Sequence, residues 1–156
     1  MYAVTLPQKD RTKTVEELLL HPVLSRAVQR SYPSLENDLL NYWRGEQVTF
    51  AHYPLDFSDY SLFCQRVLTL VRDIPYGETR SYKWVAEQIG QPKAARAVGQ
   101  AVGHNRFLIV VPCHRVTAHR GMLGGFSSGL TWKRYLLALE GVCFSAEGII
   151  LNNYPQ

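Results

Sequence analysis

The sequence predicts an α+β chain of two lobes, a small one over residues 1–57 and a mainly helical one over residues 58–156. Three observations predict it. From residue 58 onward, capped stretches with apolar residues at a 3.6-residue period follow one another, each stopped by Gly or Pro. The short apolar run Phe107-Leu108-Ile109-Val110-Val111 has the length of a buried strand. The 156 residues suffice for one good core with an appendage, and no apolar stretch reaches the roughly 20 residues that span a bilayer.

The elements follow in order. Thr14 and Glu17 match a capping box ahead of Leu18-Leu19-Leu20, a helix that Pro22 soon interrupts. Residues 34–43 predict a second helix stopped at Gly45. Residues 47–53 alternate weakly and predict a strand before Pro54, with the lobe boundary over residues 53–58. Ser58 is then expected to cap a helix whose stripe is Tyr60, Phe63, Cys64, Val67, Leu70, Val71 and Ile74. Ser81 caps a short helix with Val85, Ala86 and Ile89 inward, closed by Gly90, and Pro92 opens the next.

That next helix has two unlike faces. Ala94, Ala97, Val98, Ala101 and Val102 form an apolar stripe, while Arg96, Gly99, Gln100 and Gly103 form the other. Two glycines on an exposed helical face each cost about 1 kcal/mol relative to alanine, which implies close approach to the backbone there. Two short helices joined by Gly90-Gln91-Pro92, the second with a bare face, match a helix-turn-helix reader of DNA; a structural helix pair explains the small residues equally well. Charge favours DNA. Residues 1–57 hold six Lys/Arg against seven Asp/Glu, residues 58–140 hold eleven against five, and residues 141–156 add one Glu, so the middle region carries +6 of a net +4.

Pro112-Cys113-His114-Arg115-Val116 follows the apolar run and sets a thiol beside an imidazole. A free thiol titrates near about 8.5, so a base such as His114 is needed to make it a nucleophile. Neighbours in a strand point to opposite faces, so the two cooperate only if the chain turns here, and Pro112 permits that. Residues 121–129 form a glycine-rich loop whose amides suit a small-molecule or base pocket, without the spacing of a phosphate loop. The last helix, residues 130–140, is expected to bury Trp132, Leu136 and Leu139. Glu140 lies in its final turn, where the helix dipole disfavours an acid, and so becomes a candidate partner for His114.

Cys64, Cys113 and Cys143 form no CxxC pair and read as reduced thiols, with Cys64 structural. His21, His52, His104 and His119 lack ligand spacing, so neither metal nor cofactor is expected. The N-terminus lacks a signal-peptide pattern, so a cytoplasmic protein is expected.

From about Leu39 to Gly141 the chain resembles the O6-alkylguanine-DNA alkyltransferases, the methylated-DNA–protein-cysteine methyltransferase family. The resemblance rests on Ile74-Pro75-Tyr76-Gly77-Glu78-Thr79, Ser81-Tyr82, Ala94-Ala95-Arg96-Ala97-Val98-Gly99, Asn105, Pro112-Cys113-His114-Arg115-Val116, Gly124-Gly125-Phe126-Ser127 and Leu136-Leu137-Ala138-Leu139-Glu140-Gly141, in family order and spacing. It implies a winged-helix-like domain that binds duplex DNA as a monomer and carries the active-site cysteine, after an N-terminal lobe of ribonuclease-H-like type. Residues 1–33 lack that lobe's strand-rich pattern, so it is expected to be reduced.

The resemblance also implies roles. A damaged guanine is flipped out of the duplex, and Cys113 takes the alkyl group from its O6 irreversibly, once per molecule. His114 acts as base through a water, Glu140 polarises it, and Asn105 ties the turn. Tyr82 contacts guanine N3 and crowds the phosphate, Arg96 fills the vacated place, Gly99 admits the backbone, and Val102 lines the pocket. The carbonyls of Cys113 and Val116 receive the exocyclic amine and the Ser127 amide meets O6. Gln100, Arg115 and Phe126 complete the substrate- and DNA-binding set. Phe126 replaces a tyrosine found in many relatives, and Ser128 a glycine found in some. The rival readings are an alkyltransferase-like protein that binds lesions without transfer, a helix-turn-helix regulator, and a cysteine hydrolase.

Overall fold

The computed structural model describes residues 32–151, so the expected capping box at Thr14, His21 and the first 31 residues of the expected N-terminal lobe lie outside the described residues. Helices dominate. They are α1 (Pro33–Trp43), α2 (Leu62–Arg72), α3 (Tyr82–Gln88), α4 (Ala95–Gly103) and α5 (Leu130–Leu139), with two-residue strands β1 (Arg80–Ser81) and β2 (Val116–Thr117). The strands run parallel, Arg80 opposite Val116 and Ser81 opposite Thr117. That short pairing ties the start of α3 to the segment just after Cys113.

One apolar core runs from Leu35, Tyr42 and Phe50 through Val67, Leu68 and Val71 of α2 to Val98 and Val102 of α4 and Leu136 of α5. Residues 32–57 therefore share a core with the helices that follow. No helix among the described residues is long and apolar enough to cross a membrane.

Several boundaries move, each for a local reason. Residues 47–53 form no strand; the carbonyls of Phe50, Ala51 and Tyr53 accept instead from one Arg72 nitrogen at 3.0, 2.8 and 2.6 Å. The cap of α2 is Ser61, whose hydroxyl accepts from the Cys64 amide, because a turn from Phe57 to Tyr60 occupies the chain just after Ser58. Pro92 stands in a turn closed by the Ala94 amide on the Gln91 carbonyl, and α4 starts at Ala95. Its inward residues are Val98, Ala101 and Val102, while Ala97 is exposed.

The helix, turn and helix expected around Gly90 are present. Ser81 caps α3 by accepting from the Trp84 amide at 3.0 Å. Gly90, at φ +74°, ends it with the Gln91 amide on the Ala86 carbonyl and its own amide on Glu87, the 6→1 and 5→2 bonds of a glycine stop. The same pair of bonds ends α5, from Val142 to Leu137 and from Gly141 to Ala138.

The apolar run before Cys113 is not a strand. Ile109 has φ +72°, and the Val111 amide returns to the Phe107 carbonyl at 2.7 Å, so the run folds back as a buried turn. A β-branched residue rarely adopts that conformation, which costs about 1–3 kcal/mol and is held here by the burial of all five side chains.

A candidate active site around Cys113

Cys113 opens a single 3₁₀ turn, Cys113–Arg115, entered from Pro112 and left through β2. The turn supplies the break in backbone direction that the thiol and imidazole require. Cys113 is 2% exposed and His114 and Glu140 are buried with it. Asn105 organises the approach: its Nδ2 donates to the Val111 carbonyl at 2.9 Å and to Cys113 Sγ at 3.1 Å, and its Oδ1 accepts from the Phe107 amide at 2.9 Å. One side chain thus ties both ends of the buried turn to the sulfur.

Behind His114 lies a buried carboxylate rich in donors. Oε1 of Glu140 accepts from His114 Nε2 at 2.7 Å, from the Tyr42 hydroxyl at 2.7 Å and from Arg115 Nη2 at 2.9 Å. Oε2 accepts from Arg115 Nε at 2.8 Å and from the Gly77 amide at 3.1 Å. Gly77 is needed for this: it has φ +74°, and a Cβ there would stand 2.8 Å from the Glu140 carbonyl oxygen.

Burial alone would push the Glu140 carboxyl up, but its hydrogen bonds and charge contacts with His114 and Arg115 outweigh that and hold it well below the usual carboxylate range. Burial pushes His114 down, against the upward pull of Glu140. The imidazole is therefore neutral beside an ionised acid. A carboxylate only accepts, so the one N–H of His114 is on Nε2 and the lone pair is on Nδ1. Nδ1 has no hydrogen-bond partner among the described residues, which leaves it open to take a proton. The Cys113 thiol is raised by burial, which the Asn105 hydrogen bond and the Lys133 charge only partly offset. At rest the sulfur holds its proton.

Two residues of the site escaped the sequence reading. Lys133, fully buried in α5, donates to the Val116 carbonyl at 2.6 Å and the Gly125 carbonyl at 3.1 Å, and its ammonium stands 5.9 Å from the Tyr82 ring centre. Burial brings it down to about 8, against the opposing influence of Cys113. A signal for it existed: Lys133, Leu136, Leu137 and Glu140 stand at i, i+3, i+4, i+7. That is the stripe α5 turns inward, while Trp132 and Leu139 are only half-buried. Lys133→Met keeps the bulk and removes the charge, so the Cys113 thiol is expected to titrate higher, read from the pH dependence of its reaction with a small alkylating reagent. The other is Tyr42, which comes from α1 and has no signal in its own neighbourhood.

The remaining expected residues fall as follows. Tyr82, first residue of α3, lays its ring over Gly99 and Gly124, and its hydroxyl donates to the Gly125 carbonyl at 3.3 Å. A Cβ on Gly124 would come within 2.9 Å of that ring, so this glycine sets the approach of the loop. A Cβ on Gly99 would meet the ring at an ordinary 3.8 Å, so packing within the chain does not require glycine there. Arg96 and Gln100 are exposed on α4, Val102 is buried, Phe126 half-buried and Ser127 exposed. Val116 is buried, and its carbonyl already receives Lys133.

Arg115 requires a correction. It was expected against substrate or DNA, yet it is buried: its guanidinium grips Glu140, and Nη1 donates to the Ile74 carbonyl at 2.6 Å. Its place is to neutralise the acid behind His114. Among the described residues no group of three His, Cys, Asp or Glu side chains could hold a metal ion.

Residues 62–142 match the family described as 6-O-methylguanine DNA methyltransferase, DNA binding domain. The methylated-DNA–protein-cysteine methyltransferase of Mycolicibacterium paratuberculosis is 50% identical over 111 residues, 71% of this chain and 66% of that protein. That of Metallosphaera sedula is 42% identical over 132 residues, 85% of this chain and 78% of that protein. The crystal structure of Mycobacterium tuberculosis OGT in complex with DNA superposes with TM-score 0.66 at 48% identity, covering 70% of this chain and 65% of that one. The chain thus spans just under two thirds of the length of these mycobacterial relatives.

Proposed function

This chain belongs to the O6-methylguanine DNA methyltransferase family, and from that membership we propose that it reverses alkylation damage in DNA directly, by irreversible transfer of an alkyl group from O6 of a flipped-out guanine to Cys113. The observation that carries the reading is the arrangement behind the sulfur: a thiol held by Asn105, followed in the same turn by a buried, neutral imidazole whose Nδ1 has no hydrogen-bond partner among the described residues and whose Nε2–H is fixed on an ionised acid.

The step balances without a cofactor. The thiol proton passes through a water to Nδ1 of His114, and the sulfur lone pair attacks the alkyl carbon as the C–O6 bond breaks. Guanine leaves with that electron pair and is restored to the neutral base by the proton taken from the thiol, which His114 releases through water. The Lys133 ammonium steadies the developing thiolate. The Tyr82 phenol, held above its ordinary pKa by burial and by Cys113 nearby, keeps its proton at neutral pH and turns it from the Gly125 carbonyl to guanine N3 when the base is seated. The Ser127 amide faces O6, and the carbonyls of Cys113 and Val116 face the exocyclic amine. The thioether is stable, so each molecule acts once.

Duplex DNA is the partner. The +6 excess lies in residues 58–140, and exposed Arg96 and Gln100 stand on the outer face of α4 beside Gly99. In this reading Arg96 occupies the place of the everted base. The transfer unit is winged-helix-like and lies in the described residues from 58 onward, and the protein works as a monomer in the cytoplasm. Binding without transfer, the alkyltransferase-like alternative, is disfavoured by the presence of Cys113 with its acid and base in place.

The test is a duplex carrying O6-methylguanine mixed with reduced protein, read by intact mass and peptide mapping. One methyl group on the Cys113 peptide is expected; unmodified protein, or a methyl on Cys64 or Cys143, overturns the reading. Arg96→Ala is expected to slow transfer from duplex about tenfold or more, since everting a base costs a few kcal/mol, and to leave reaction with a free O6-alkylguanine base unchanged. Equal losses on both substrates would remove the arginine from flipping.

A further inference from the structure

Tyr42 lies outside residues 62–142, the span matched to the family's DNA-binding domain, yet it enters the most buried part of the site. It is fully buried, and three aromatic neighbours meet its ring edge-on, Trp43, Phe50 and Tyr76, with centres 5.8 to 6.1 Å away. The phenol has little freedom to turn away. Its oxygen is 2.7 Å from Oε1 of Glu140 and 3.4 Å from Nε2 of His114. Tyr42 and the imidazole therefore compete for the same carboxylate oxygen.

Resting on the transfer reaction proposed above, we propose that Tyr42 is a positioning residue of that reaction: inserted from α1, its hydroxyl fixes the Glu140 carboxylate and limits how strongly the acid draws charge onto His114. Burial, reinforced by the negative charge of Glu140, holds the phenol far above the ordinary tyrosine range, so it is a permanent donor and never a base. A further donor on Oε1, beside Arg115 Nη2, spreads the charge that would otherwise stabilise the imidazolium. The titratable and charged groups around His114 are Glu140 at the end of α5, Lys133 within α5, Arg115 and Cys113 of the 3₁₀ turn, and Tyr42 itself. Tyr42 is the donor in this set that α1 supplies.

The sign follows. Without the phenol, Glu140 holds His114 in its protonated form to higher pH, and a protonated imidazole cannot accept the thiol proton. Tyr42→Phe keeps the ring and removes one oxygen. Its acid limb for single-turnover transfer from O6-methylguanine duplex is expected to move to higher pH, with about a fivefold slower reaction at neutral pH, in the range for one lost hydrogen bond to a charged group. The His114 ring resonances, followed by NMR against pH in unmodified protein, are expected to move in the same direction. Tyr42→Leu removes the ring too and reports the contribution of packing through its thermal midpoint.

A purely structural tyrosine would lower stability and slow transfer equally at every pH. An acid limb and a His114 titration that both stay in place in Tyr42→Phe would therefore overturn the proposal, whatever the rate. If wild-type protein transfers no methyl group, the reaction itself is wrong, and the His114 titration of Tyr42→Phe against wild type still decides whether the phenol governs the imidazole.

Discussion

Cys113→Ala is expected to abolish alkyl transfer while leaving the protein folded and able to bind O6-alkylguanine duplex. The fold survives because only one sulfur is lost. Asn105 keeps its bonds to the Val111 carbonyl and the Phe107 amide, and the small void costs on the order of 1 kcal/mol. No other thiol can substitute. Cys64 is buried in α2 with Sγ 3.7 Å from the Ala101 carbonyl, and burial pushes it up with only the Arg106 charge opposing. Cys143 is exposed, beyond the end of α5. Intact-mass measurement after incubation with damaged duplex should show no adduct, and a gel-shift titration should show binding close to wild type. Transfer by this variant would move the nucleophile elsewhere.

Glu140→Gln is expected to damage both stability and chemistry. The glutamine keeps the volume but turns one acceptor oxygen into a donor that faces Arg115, Gly77 and the His114–Tyr42 pair, all of them donors. Arg115 is left as a buried charge without its counterion, a change that costs roughly 3–5 kcal/mol. For a chain of this size that is a fall of about 10 °C or more in thermal midpoint. Transfer should slow at least about a hundredfold, because His114 loses the acceptor that fixes its tautomer. Calorimetry and single-turnover kinetics read the two losses separately.

The pH dependence of that difference has a definite sign. Glu140 is held below its unfolded value, so its contribution to stability is complete above about pH 4.3 and is lost as pH falls from there toward the folded value. The gap between wild type and Glu140→Gln should therefore close in acid. His114 is also depressed, so the unfolded chain takes up its proton first, and wild-type stability should begin to decline as pH falls through about 6.5. Urea titrations across this range, showing instead a gap that widens in acid, would contradict the assignment of Glu140 as the ionised partner.

What could be read in the sequence divides by range. The cap at Ser81, the glycine stop at Gly90 and the inward faces of α2 and α3 depend on residues within one or two turns of each other, and local chemistry decides them. The run at 107–111 looked like a strand because composition does not report that Ile109 is driven to positive φ by the burial of its neighbours. Residues 47–53 failed as a strand because Arg72, some twenty residues on, takes their carbonyls.

The site divides the same way. The structure brings Cys113, His114, Asn105 and Glu140 together; Glu140 is legible from a local rule broken at a helix end, Asn105 only through the family resemblance. Arg115 was misplaced, since nothing in its neighbourhood shows that Ile74 and Glu140 converge on it. In α5 the expected inward face was rotated by one residue. The true stripe runs through a lysine and a glutamate, which hydrophobic patterning discounts and a buried site requires.

The near-complete enclosure of the Cys113 sulfur has a consequence outside the reaction proposed for it. A protein that acts once is consumed by any adventitious capture of its sulfur, and peroxide, glutathione disulfide or a stray small electrophile reacts with exposed thiolate far faster than with a shielded, protonated thiol. On the proposed function, holding the proton until a lesion is seated keeps the standing pool of molecules intact during the long intervals between lesions.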